Sequence, residues 1–111
     1  MNDSDKQRID HIIKHYESLL VTKNSLETET LDETRKLELK NSIYMDLFQM
    51  GEHASKLSEE TKSQIPHHDL KGIIDTRNFI GHDYVSLKEN MIWKSINEEC
   101  PRLIEELKKL F

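Results

Sequence analysis

The chain has 111 residues, 35% of them hydrophobic, enough for one modest core in a single domain spanning residues 1–111. Its formal net charge of −5 excludes a broadly basic nucleic-acid-binding surface, and the lone Cys100 excludes an intrachain disulfide framework or a cysteine-based zinc site. No apolar run approaches the about 18 residues of a membrane span, and the polar N-terminus lacks a signal-peptide pattern, so a soluble cytoplasmic protein is expected.

Three Gly and two Pro among many Leu, Ile, Lys and Glu point to long helices joined by short loops. Ser4-Asp5-Lys6-Gln7 has the form of a capping box, and Ile9, Ile12, Ile13, Tyr16, Leu19 and Leu20 follow at helical spacing. They predict a first helix from about Asp5 to Val21 or Thr22. His11 and His15 are spaced to seat a metal, but no acidic or cysteine ligand accompanies them by motif, and half-exposed surface histidines are expected instead. Residues 22–30 are polar and unpatterned and read as a loop.

Thr30-Leu31-Asp32-Glu33 repeats the capping-box form ahead of a long helix extending to about Leu57. Its main stripe is Leu39, Ile43, Leu47, Met50, Ala54 and Leu57, with Tyr44, Phe48 and Gly51 on an adjacent face. So wide an apolar arc implies more than one neighbour, from a bundle or from an oligomer interface, and Met45, Phe48 and Met50 are expected in the core. Gly51 interrupts this helix pattern at a cost of roughly 1 kcal/mol relative to Ala, which suggests a close helix approach or a need for room. Glu52 beside it is a polar group that can face a site, whereas His53 is expected in solvent.

Pro66 disfavours helix at Ile65, and Asp69 is a plausible start for the next helix, with Leu70, Ile73 and Ile74 on its buried side. Ser86-Leu87-Lys88-Glu89 is a third capping box, followed by buried Ile92, Trp93, Ile96 and Cys100. Pro101 opens a new helix or kinks the old one, and Leu103, Ile104, Leu107, Leu110 and Phe111 continue the stripe to the last residue. Glu105 and Lys109 are spaced for an ion pair. The architecture predicted is all-α, an antiparallel bundle of four to five helices that dimerises through helix faces.

Between Arg77 and Tyr84 the chain concentrates a guanidinium, a carboxamide, an imidazole and a phenol: Arg77-Asn78-Phe79-Ile80-Gly81-His82-Asp83-Tyr84. Arginine offers a donor fork matched to phosphate, and histidine exchanges protons near neutrality. Asn78 can orient a phosphate or the imidazole. No aspartate cluster with metal spacing appears, so a metal-free, cofactor-free transfer using the 2′-hydroxyl of RNA is the natural chemistry, giving a 2′,3′-cyclic phosphate. A structural network that pins a helix end uses the same residue types, and spacing alone does not separate the two readings. In an unbroken helix Arg77 and His82 lie about 140° apart around the axis and about 7.5 Å along it, so they would not share a face. Convergence therefore needs a break near Gly81, a second copy of the segment, or both.

This segment resembles the R-x4-H-x-Y signature of the HepT-like toxins of the HEPN superfamily. The likeness extends to Met50-Gly51-Glu52-His53-Ala54-Ser55-Lys56-Leu57-Ser58, similar to that family's Gly-Glu-Ala helix segment, and to Ile92-Trp93-Lys94-Ser95-Ile96 with Pro101-Arg102-Leu103-Ile104, similar to its closing helices. It covers roughly Leu39 to the C-terminus. The resemblance implies a homodimeric helical bundle with the Arg/His motifs of both subunits in a cleft at the interface. It further implies a toxin that is a metal-independent endoribonuclease, with Arg77 and His82 as the catalytic pair and Asn78 and Glu52 in support. Its implied partners are RNA and a minimal nucleotidyltransferase antitoxin that adenylylates Tyr84. Adenylyl groups there would add negative charge and bulk where an RNA phosphate must sit. The alternative function is a non-catalytic helical dimer that binds the nucleotidyltransferase and is modified by it. A helical adaptor whose polar motif only fixes the dimer is the third reading.

Overall fold

The computed structural model describes residues 1–82 and 89–111. The chain folds as helices α1 (Asp3–Thr28), α2 (Glu33–Ser55), the single turn α3 (Glu59–Lys62), α4 (His67–His82) and α5 (Glu89–Lys94), then a π-helical turn (Ser95–Glu99) that leads into α6 (Cys100–Lys108). The all-α bundle predicted from the sequence is the fold. At 1.5 Å per residue, α1 alone is about 39 Å long and sets the long axis of a body measuring 45 × 26 × 21 Å. No helix among the described residues is long and apolar enough to cross a membrane.

Helix α2 lies between α1 and α4, which is why it carries apolar residues over so wide an arc. Ile43, Leu47, Met50 and Ala54 are buried with Ile9, Ile12 and Leu19 of α1 and with Ile73 of α4. Leu103, Ile104 and Leu107 of α6 close the core. Neighbouring helices run antiparallel: Arg8 meets His53 and His15 meets Asp46 across α1 and α2. Asp69 meets Arg102, Gly72 meets Glu99 and Thr76 meets Ser95 across α4 and the closing segment.

Several local expectations are corrected. Helix α1 starts earlier and runs through most of the predicted 22–30 loop, capped by the Asn2 side chain, which accepts from the Asp5 amide at 2.7 Å, and not by Ser4. Its last turns are held by the Lys23–Glu27 pair at 3.2 Å and by Leu26, which packs against the core. Asp32, not Thr30, caps α2, accepting from the Arg35 amide at 2.8 Å. The helix is continuous through Gly51. Met45 is 57% exposed rather than in the core, and Leu20 and Phe111 also face solvent. Lys109 pairs with Glu106, three residues away, and not with Glu105.

Proline at 101 is accommodated by widening the helix ahead of it. The Cys100 amide reaches back five residues to the Ser95 carbonyl, a π-type bond, and Pro101 sits in the first turn of α6, where it needs no donor. Helix α4 runs without interruption through Gly81 to His82. The Ser86 capping box and Tyr84 lie outside the described residues.

Candidate functional site

The site is built where α4 crosses the C-terminal half of α2. Gly51 makes that crossing close: a Cβ added there would stand 2.2 Å from Arg77 Cβ and 2.9 Å from the Ile73 carbonyl oxygen. The expectation that Gly51 permits a close helix approach is therefore met. The approach lays the Arg77 side chain along α2, 24% exposed, with Nη1 3.2 Å from Glu52 Oε1. Arg77 Nε is buried and has no hydrogen-bond partner among the described residues. An unpaired donor in a buried guanidinium is costly, and the Glu52 carboxylate meets only the Nη1 end of this one.

Glu52 is engaged from two sides. Its second carboxylate oxygen lies 3.6 Å from Lys56 Nζ, one helical turn on. The carboxylate thus occupies, between two cations, a place where an external phosphate oxygen would gain the same contacts.

Asn78 and His82 are both exposed and stand one turn apart on α4. Because the helix is unbroken, His82 is turned away from Arg77 by about 140°. Among the described residues, one chain therefore brings Arg77 to Glu52 and sets Asn78 in line with His82, but it does not bring Arg77 and His82 together. A break near Gly81, one of the alternatives left open by the spacing, does not occur within the described helix, which runs on to His82. Gly81 instead serves packing, since a Cβ there would meet the Phe48 ring at 3.2 Å. Beside it a shallow apolar groove is lined by Asn41, Tyr44, Met45, Phe48, Ile80 and Gly81.

A groove of about 660 Å³ runs between α3 and α4 over Ile65, Leu70 and Ile74, but neither Glu52 nor any motif residue lines it. Of the described motif residues, Asn78 and His82 lie on open helix surface, whereas Arg77 is largely packed against α2. No group of three or more His, Cys, Asp or Glu among the described residues is placed to hold a metal ion.

Sequence reasoning missed a second polar cluster. His53, expected in solvent, is partly buried on the α1 side of α2, its ring 4.9 Å from that of His11 and nearly parallel to it. Its Nδ1 lies 3.3 Å from Arg8 Nη1, so the neutral ring accepts from the guanidinium. His15 reaches the buried Asp46 at 2.9 Å. The signal was the antiparallel pairing itself, which places the end of α2 beside the start of α1.

Residues 7–110 match the family model described as ribonuclease HepT-like. No solved structure matches the chain.

Proposed function

The chain belongs to the ribonuclease HepT-like family of the HEPN superfamily, and from that membership we propose that it is a toxin endoribonuclease acting without metal at a site shared by two subunits. The observation that carries this reading is Arg77, fixed by Gly51 and Glu52 with a buried unpaired donor, on the same helix as exposed Asn78 and His82.

In the reaction proposed, the ribose 2′-oxygen attacks the adjacent phosphorus. The P–O2′ bond forms as the P–O5′ bond breaks, leaving a 2′,3′-cyclic phosphate and a 5′-hydroxyl. His82 takes the 2′-hydroxyl proton, and a protonated imidazole returns one to the departing 5′-oxygen. Arg77 stabilises the negative charge that builds on the non-bridging oxygens. Asn78 orients the phosphate, and Glu52 holds the guanidinium in place until substrate arrives.

A dimer through the groove of Met45, Phe48 and Ile80 would cover apolar surface beside Gly81 and bring the two His82 side chains toward one another. Tyr84, two residues beyond His82, is the proposed target of adenylylation by a minimal nucleotidyltransferase antitoxin.

Purified protein incubated with RNA and a chelator should release fragments ending in a cyclic phosphate. His82→Ala and Arg77→Ala should each lower the rate at least a hundredfold. Equal cleavage by wild type and His82→Ala would remove the proposed site. Co-expression with the nucleotidyltransferase should add adenylyl mass to the wild-type chain and none to Tyr84→Phe; modification of both would place the switch elsewhere.

A further inference from the structure

Lysine, arginine and histidine side chains gather on the α1–α2 seam outside the motif, in a chain whose net charge is −5. Arg8 lies 3.3 Å from His53, the His11 ring is 4.9 Å from that of His53, and the His15 ring is 6.3 Å away. Lys56, three residues beyond His53, contacts Glu52, whose other oxygen pairs with Arg77. The row of Arg77, Lys56, His53, Arg8 and His11 thus leads from the motif helix across the end of α2 onto the start of α1. Lys56 and His11 are exposed, and Arg8 and His53 are half-buried.

Nearby carboxylates do not neutralise the whole row. Asp10 is taken by Lys14 at 2.8 Å, Asp46 by His15 at 2.9 Å, and the buried Asp5 by Ser58 and Thr61, which leaves Glu52 between Arg77 and Lys56. The crowding shows in His53, whose pKa is held below the ordinary histidine value by burial first and then by His11, Arg8, His15 and Lys56. Negative charge arriving along the seam would relieve this repulsion. Cations spread over two helices match an anion that repeats its charge, and exposed imidazole faces can carry a stacked base.

We propose that Arg8, His11, His53 and Lys56 form a track for the backbone of single-stranded RNA that delivers the strand to Arg77. The proposal rests on the reading that the motif helix handles RNA. On binding, phosphate oxygens replace His53 Nδ1 as the acceptor for Arg8 and compete with Glu52 for Lys56. His53 takes up a proton and becomes a donor. These contacts supply affinity and direction and carry no sequence preference.

The test is anisotropy of a fluorescein-labelled uridine RNA of about 20 nucleotides with the full-length His82→Ala protein, which keeps the probe intact, across salt and pH. Arg8→Gln with Lys56→Gln should weaken binding about tenfold at low salt and lower the slope of log K against log salt by about 1.4, two phosphate contacts at roughly 0.7 each. Lys56→Gln alone, at an exposed position, should give about half that change in slope, and Arg8→Lys with Lys56→Arg should restore binding. Affinity should rise as pH falls below about 6.5, the ordinary histidine value under which His53 is held, and His53→Gln should flatten the rise. Unchanged affinity and slope in the Gln variants would overturn the track. If those same variants instead lost only the nucleotidyltransferase, the seam would be a protein-docking surface and the proposal would be wrong. Weaker binding in the Gln variants, with no cleavage by the protein that retains His82, would sink the nuclease reading and leave the track standing.

Discussion

Gly51 controls the site because of what it lacks. Any side chain there meets Arg77 Cβ and the Ile73 carbonyl oxygen, and neither can swing away as the end of a flexible side chain could. Gly51→Ala would force α2 and α4 apart and shift the guanidinium that Glu52 now holds at 3.2 Å. Overpacking of this kind should cost about 1–3 kcal/mol despite the better helix propensity of alanine. Urea unfolding should show the loss, with RNA cleavage falling further than stability alone explains. A variant as stable and as active as the parent would mean that the helix spacing is set elsewhere. The sequence made Gly51 conspicuous as a glycine inside a helix pattern, but only the fold identifies the neighbour it admits. Cys100 is the opposite case: burial pushes its thiol up to about 12, and it behaves as a small core side chain with no acid–base role.

Helix pairing explains what was legible at the level of elements. The apolar stripes of α1, α2 and α6 are readable from spacing because burial requires them, and so is the all-α class. Caps were misplaced because Ser4, Thr30, Asn2 and Asp32 are chemically similar candidates, and the choice depends on where the backbone enters the bundle. Asp5 carries this lesson furthest. It reads as a first-turn acid, yet it is buried and binds across the bundle, accepting from the Ser58 amide at 3.0 Å and from the Ser58 and Thr61 hydroxyls at 2.5 and 2.6 Å. These bonds tie the start of α1 to the α2–α3 junction. They also hold the carboxyl below its ordinary pKa, the Ser58 and Thr61 hydroxyls contributing most. A lowered folded-state pKa means that Asp5 stabilises the fold fully above the unfolded value of about 3.9, and that this is lost as pH falls through the folded value. Asp5→Ala should cost about 1–3 kcal/mol at neutral pH through the donors it strands. It should also flatten the acid limb of the stability curve below about pH 4. An acid limb identical to the parent's would assign that pH dependence to other carboxylates.

At the scale of the whole molecule, the unbroken helix through Gly81 sharpens the question that the motif poses. Spacing left open a break or a second copy, and the break is not in α4. Within the described residues, Arg77 faces α2 while His82 faces solvent, so one chain does not join them there, and the shared site proposed above would assemble between copies. That arrangement has a consequence that a site within one chain lacks. Arg77→Ala and His82→Ala, each inactive alone, are co-expressed with different tags and the mixed dimer is isolated by tandem purification. If each site takes Arg77 from one subunit and His82 from the other, one of the two sites in the mixed dimer has both residues intact. Cleavage should then return to about half the wild-type rate per dimer. If each chain uses its own pair, no intact site exists and the mixed dimer stays inactive. Met45→Lys, at the exposed apolar groove, supplies the matching physical readout: it should shift the sedimenting species toward monomer and remove cleavage together. Activity retained in a monomer would refute assembly through this face, because nothing then requires a second copy to complete the chemistry.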